Sequence, residues 1–167
     1  MKRGCLFLFA LLAVPLGALG DPAAIERAWP NLDSPDPSAR EAARKSIEAQ
    51  PFNQWKERAL EEKNTWASLE ALRALVESCP PKQVVALSPH LCEQITTLRL
   101  EEMDFSQQLS ALALTRLVFE KLGPLSQDER EQMIDLWSHF QPAAGSAVSS
   151  TKQVLLDWLA QQPVRKP

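Results

Sequence analysis

Metal-binding chemistry in this chain would have to come from its two histidines, His90 and His139, and from the cysteines beyond the first twenty residues. His90 and Cys92 lie close in sequence, but a metal site needs three or four converging ligands, and only Cys79 could join them. We favour the alternative, in which His90 is a partly exposed histidine beside a helix start. His139 falls at the end of a predicted helix, where a cation offsets the negative end of the helix dipole. The sequence therefore predicts neither a metal site nor a cofactor.

Cys79 and Cys92 leave two alternatives open. In an oxidising compartment a disulfide is allowed, and a bridge that closes so short a loop would contribute about 3 kcal/mol to stability. The same two side chains could instead be buried thiols that pack as small apolar groups. Helix geometry decides between the two, and the sequence does not reveal it.

The sequence shows no motif that would bring catalytic side chains together. It contains neither a Gly-x-Ser-x-Gly motif nor a glycine-rich phosphate-binding loop. Acidic residues do cluster, but neighbouring residues on a helix point in different directions, so adjacent carboxylates do not converge on a substrate. A solvent-exposed helix face, or a first helical turn, accounts for them. The clusters are Glu61-Glu62, Glu101-Glu102 and Asp128-Glu129-Glu131. We therefore expect a protein without enzymatic activity.

Residues 1–20 have the pattern of a signal peptide. A positively charged start precedes an apolar run from Cys5 to Val14, and small residues at Ala18 and Gly20 suit cleavage before Asp21. The alternative is a retained membrane anchor, but the unbroken run is shorter than the roughly 20 residues that a span needs. We expect an exported protein, periplasmic or secreted, with no membrane span once the signal is removed.

The rest of the chain is predicted to be one helical-repeat domain over residues 21–162 with a short tail at 163–167. Because the signal carries two of the 18 basic residues and none of the 21 acidic ones, the mature chain has a formal charge of −5. Nucleic-acid binding needs a basic stripe that displaces counterions, so this dispersed, mildly acidic charge argues against it.

Apolar residues recur at helical spacing along nearly the whole mature chain, and proline or glycine marks the breaks. We predict an all-α fold of four helix pairs starting near residues 22, 52, 89 and 127, with Thr65 capping the fourth helix and Ser88-Pro89 opening the fifth. The sixth helix is apolar nearly all round, which is typical of a central element. Since one pair cannot bury its own apolar face, a short solenoid is favoured, with an irregular helical bundle as the alternative.

Leucine, alanine and acidic residues form a pattern over most of the mature chain. The residues that carry it are Leu32 to Asp36, Arg40, Ala43-Arg44, Ile47-Glu48, Trp55, Ala59 to Glu62, Leu69 to Leu72, Gln108 to Ser110 continuing to Gly123, and Leu155 to Pro163. This pattern resembles a HEAT-like helical segment of large exported bacterial proteins, which also carry a propeller-type dehydrogenase domain and a c-type haem domain. The resemblance implies a helical fold, an exported location and a spacer or docking role. Neither electron transfer nor dehydrogenation carries over, because the chain lacks a Cys-x-x-Cys-His motif and is too short for a propeller.

The favoured function is a protein-binding or scaffolding module, because a solenoid offers a curved surface formed by the second helix of each pair. Trp55 could be an exposed anchor for a partner, but with Ala59 it fits a buried stripe better. The alternative is a small-ligand carrier, or an unrecognised enzyme, with a pocket between helices. The polar positions predicted to form the partner-binding face are Arg40, Arg44, Glu70, Arg73, Gln108, Arg116 and Lys152.

Overall fold

The computed structural model describes residues 20–166, and within them the chain is all-α, as the sequence predicts. The predicted signal peptide therefore lies outside the described residues, apart from Gly20. Short 3₁₀ turns link several of the helices. Within residues 20–166 the α-helices are α1 (Pro22–Ala28), α2 (Pro37–Glu48), α3 (Lys56–Glu61), α4 (Thr65–Ser78), α5 (Val84–Thr96), α6 (Phe105–Leu122), α7 (Gln127–His139) and α8 (Ala147–Gln161).

Side-chain caps at the helix starts explain most of these boundaries, because each accepts a hydrogen bond from a backbone N–H that has no partner inside the helix. At α6 and α7 the cap is reciprocal, since the side chains of Gln107 and Glu129 accept a hydrogen bond from the backbone N–H of the cap residue. Asn64 caps α4, so the predicted cap at Thr65 is one residue late. The capping residues are Asp21, Asp36, Asn64, Asp104, Ser126 and Ser146.

Helix α5 begins at Val84, four residues before the predicted start at Ser88, and Pro89 lies inside it. Proline normally breaks a helix because it lacks an N–H and crowds the carbonyl four residues earlier. Here that earlier residue is Val85, and both Pro89 and Val85 are exposed, so water can reach the freed carbonyl. The buried stripe that includes Leu87 and Leu91 runs straight past the proline and holds the helix together.

The helices form two layers. In one layer α4 contacts both α2 and α6, and α6 also contacts α8; in the other, α5 contacts α3 and α7. Each predicted pair is in contact as well: α1 with α2, α3 with α4, α5 with α6, and α7 with α8. Helix α6 thus touches neighbours in both layers, which agrees with its predicted central position.

Large apolar side chains fill the space between the layers. Trp55 is buried against the edge of Phe52, which confirms its assignment to a buried stripe. Trp137 is also buried, and its indole Nε1 donates a hydrogen bond to Thr115 Oγ1 at 3.1 Å. On α8 the buried stripe consists of Val148, Leu155 and Leu159, whereas Thr151 is exposed.

Replacing Thr115 with valine keeps the shape of the side chain but removes the acceptor for Trp137. We expect Thr115→Val to lower the free energy of unfolding by about 1–3 kcal/mol, because a buried N–H is left unsatisfied. Urea unfolding followed by tryptophan fluorescence measures this. The control is Thr151→Val at an exposed position of α8, for which we expect the free energy of unfolding to change by no more than about 0.5 kcal/mol. Equal effects in both variants would contradict the prediction.

Candidate functional site

Three of the seven predicted partner-binding residues make contacts within the fold. Arg40 and Arg44 are buried and Glu70 is partly buried, which corrects the expectation from the sequence. Arg40 and Arg44 on α2 are only 7% and 4% exposed. Both turn toward Glu70 on α4: Arg44 Nε lies 3.1 Å from Glu70 Oε2, and Arg40 Nε lies 3.6 Å from Glu70 Oε1. These side chains tie α2 to α4 and are not offered to a partner.

Further contacts complete this cluster of buried charge. Arg40 donates to the backbone carbonyl of Ser34 at 2.7 Å, and its guanidinium lies 3.6 Å from the ring centre of Trp66. Arg44 also donates to the carboxylate of Glu48 one turn later on α2. Buried charges are tolerated when they are paired and hydrogen-bonded in this way. The cluster is therefore a structural device that joins the first two helix pairs.

The other four predicted residues are divided between surface and fold. Gln108 donates to the carbonyls of Leu100 and Met103, and Lys152 donates to the carbonyl of Phe140 at 2.8 Å, so both stabilise loops. Arg73 is exposed on α4, and Arg116 is exposed on α6, where it pairs with Glu120. The predicted face is thus reduced to two arginines.

The buried cluster around Glu70 gives a direct stability test. We expect Glu70→Gln to lower the free energy of unfolding by about 3 kcal/mol, because two buried guanidinium groups lose their shared counter-charge. The control, Glu77→Gln, lies on the same helix and breaks a mostly exposed ion pair with Lys121. It should change stability by less than about 1 kcal/mol. Chemical unfolding of both variants measures the difference, and equal values would show that the buried cluster has no special weight.

Cys79 and Cys92 are both free thiols in the structure. Burial raises the pKa of Cys79, which is half-buried at the end of α4. Burial and the nearby Glu129 carboxylate raise the pKa of Cys92 to about 12, and Arg165 opposes this only partly. His90 is exposed while Cys92 is fully buried, so the two do not converge on one point. Among residues 20–166 no three His, Cys, Asp or Glu side chains are placed to hold a metal ion.

A groove lies between α5 and α7 and has a volume of about 900 Å³. Its lining is more polar than apolar, and five carboxylates face it against one arginine and one histidine. Leucines and Phe140 contribute apolar surface to the same lining. None of the seven predicted binding residues lines this groove. The charged and ionisable residues that line it are Glu93, Glu101, Asp128, Glu129, Asp135, His139 and Arg165.

Glu129 is the buried anchor at one end of the groove. Its carboxylate accepts hydrogen bonds from the Ser88 hydroxyl at 2.8 Å and the Ser126 N–H at 2.6 Å, and it lies 3.2 Å from Arg165 Nη2. Burial alone would raise its pKa, but these hydrogen bonds and Arg165 outweigh burial and hold the pKa of Glu129 below its ordinary value. Glu129 lies in a first helical turn, as predicted for this acidic cluster, but it is buried and does not belong to a solvent-exposed face.

Its partner Arg165 comes from the tail, which folds back onto α5 and α7. The backbone N–H of Arg165 donates to the Leu125 carbonyl at 2.7 Å, and Arg130 donates to the carbonyl of Gln162 at 3.0 Å. Ser88 and Arg165 are 77 residues apart in sequence, so no local pattern could have predicted their meeting.

Comparison of the chain with protein-family models, with curated proteins and with solved structures finds no match. The resemblance to a HEAT-like segment therefore stays a prediction from the residues quoted above. None of the helices in residues 20–166 is both long enough and apolar enough to cross a bilayer.

The low pKa of Glu129 makes part of the stability depend on pH. The carboxylate stabilises the fold when ionised, so its contribution is complete above the unfolded-state pKa and is lost as the pH falls through the lower folded-state pKa. We expect Glu129→Gln to lower the free energy of unfolding by about 1–3 kcal/mol at pH 7, and the difference from wild type to shrink below about pH 4.

Unfolding curves at a series of pH values measure this difference. Glu131→Gln on the same helix is the control, because Glu131 is exposed, and its effect should stay within about 0.5 kcal/mol at every pH. A Glu129→Gln effect that does not change between pH 7 and pH 3 would contradict the prediction.

Proposed function

We propose that this protein is an exported, non-catalytic helical-repeat module that binds another protein and uses no cofactor. The pairing of successive helices in two layers supports a short HEAT-like solenoid, in which each pair shelters the apolar face of the next. The pattern of residues 1–20 supports export. A module of this kind acts through one of its surfaces, which contacts the partner.

The groove between α5 and α7 carries the proposal. A site for a small molecule encloses most of its ligand in a mainly apolar pocket with few polar groups. Here the groove opens to solvent, has a predominantly polar lining and runs between two helices of one layer. That shape and polarity suit a segment of a protein better than an enclosed small ligand.

The opposite layer is the weaker candidate for the partner surface. Arg40 and Arg44 pair with Glu70 inside the fold. The depression between α4 and α6 has a volume of only about 150 Å³. Arg73 lines that depression, so a secondary contact there is compatible with the main site in the groove.

Site-specific photo-crosslinking in cells tests the proposal. A photoreactive amino acid replaces Gln132, which is exposed in the groove, or Ala160, which is exposed on α8 away from it. We expect a discrete protein adduct from position 132 and none from position 160, because only the groove is in lasting contact with a partner. Absence of an adduct at 132, or the same adducts from both positions, would overturn the assignment of the surface.

A further inference from the structure

Taking the proposed protein-binding function as its basis, we propose that the groove between α5 and α7 receives an extended basic segment of the partner. We infer also that Arg165 of the chain's own tail occupies the place of one of the partner's cationic side chains. Three observations support this assignment: the negative charge of the groove, the contacts that Arg165 makes there, and the apolar side chains in the lining of the groove.

The electrostatic field of the groove is negative and largely uncompensated. Within residues 20–166, the exposed carboxylates of Glu93, Glu101 and Asp128 have no ion-pair partner, and Asp135 pairs only with exposed His139 at 3.2 Å. A concave surface lined by one sign of charge concentrates its field and attracts the opposite sign. Complementary charge determines which partner a surface selects and how fast the two associate. The partner segment that complements this groove is therefore rich in lysine or arginine.

Arg165 shows how a basic residue sits at this surface. Its guanidinium contacts the Glu129 carboxylate at 3.2 Å and the Ser88 hydroxyl at 3.4 Å, while its backbone N–H donates to the carbonyl of Leu125. Residues 163–166 have no regular secondary structure. The tail is thus an irregular basic segment held by one main-chain hydrogen bond and one charged side chain. Arg165 lines the groove, and a partner segment would continue from there along the remaining acids.

Apolar side chains along the groove favour long cationic side chains over a bare metal ion. Leu98 and Leu136 are half-buried and line the same surface as the carboxylates. Lysine and arginine lay their methylene stems on apolar surface while the charged head reaches a carboxylate. A divalent cation gains nothing from contact with apolar side chains and prefers converging oxygen ligands.

Peptide binding to the purified protein tests the assignment. The probe is a short fluorescent peptide in which arginine alternates with serine, measured by anisotropy at physiological salt against the same peptide with glutamate in place of arginine. The groove variant is Glu93→Gln/Glu101→Gln/Asp128→Asn. The control variant, Glu41→Gln/Glu57→Gln/Glu61→Gln, makes the same charge change at exposed residues on α2 and α3.

We expect the arginine peptide to bind wild type and the glutamate peptide not to bind. The groove variant should raise the Kd of the arginine peptide about tenfold, since three exposed charge contacts of two- to threefold each are lost. The control variant should raise the Kd at most about twofold, through the change in net charge. An equal loss in both variants, or binding of the glutamate peptide, overturns the proposal.

The part played by Arg165 has its own variant. Arg165→Gln frees the Glu129 carboxylate, so the arginine peptide should bind about threefold or more tightly, and circular dichroism checks that the variant is folded. In wild type, the Arg165 side-chain Nε–H resonance should shift as the peptide is added, because the peptide displaces it. Unchanged affinity in a folded variant, or an Arg165 resonance that stays in place at saturation, overturns the inferred competition.

Two outcomes separate this inference from the proposed function. An adduct at position 132 in cells without arginine-peptide binding in solution overturns the basic segment and leaves protein binding intact. Peptide binding without any adduct at position 132 overturns the protein-binding function. Stabilisation by millimolar CaCl₂ alone, with displacement of the arginine peptide, would identify a cation site and overturn the proposal.

Discussion

The packing of α4 against α6 holds the two halves of the protein together. Helices of 14 and 18 residues are marginal on their own, because isolated helices this short gain too little from backbone hydrogen bonds. Alanines on the buried side of α4 (Ala67, Ala71 and Ala74) let the neighbouring backbones approach closely, and the leucines between them fill the remaining space. Helices α2 and α3 also contact α4, and helices α5 and α8 also contact α6, so four further helices pack directly on this pair.

Two carboxylates, the partly buried Glu70 and the buried Glu129, then fix how the helix pairs are arranged around that contact. Glu70 pairs with two arginines from α2, and Glu129 contacts a serine from α5 and an arginine from the tail. Apolar packing has no direction, whereas the hydrogen bonds of these carboxylates, one on each oxygen in Glu129, restrict the positions of their donors. Specific orientation near both ends of the chain therefore comes from charge, while most of the cohesion comes from apolar area.

Local signals predicted the elements well and the long-range contacts poorly. Caps such as Asp104 and Ser126, the helical spacing and the broad apolar surface of α6 are all properties of neighbouring residues. Pro89 was misjudged because proline usually marks a helix start, and tertiary burial of α5 overrode that preference. Arginine is normally exposed, so Arg40 and Arg44 were assigned to the surface; their burial depends on an acid 26 to 30 residues away on another helix.

The groove escaped prediction for the same reason. Its acids come from α5, the turn after α5, and α7, and no periodicity within one helix brings them to one surface. The position of Glu129 in a first helical turn depends only on neighbouring residues, since Ser126, which caps α7, is three residues away. Its second role depends on Ser88 and on the tail, and only the folded chain shows it.

The buried Cys92 thiol has a consequence for handling and for folding studies. A thiol with a pKa of about 12 has almost no thiolate at neutral pH, and alkylating reagents react with the thiolate. Iodoacetamide can therefore modify Cys92 only when α5 separates from its neighbours. The rate at which Cys92 is alkylated thus measures the opening of this helix, and the measurement needs no engineered label.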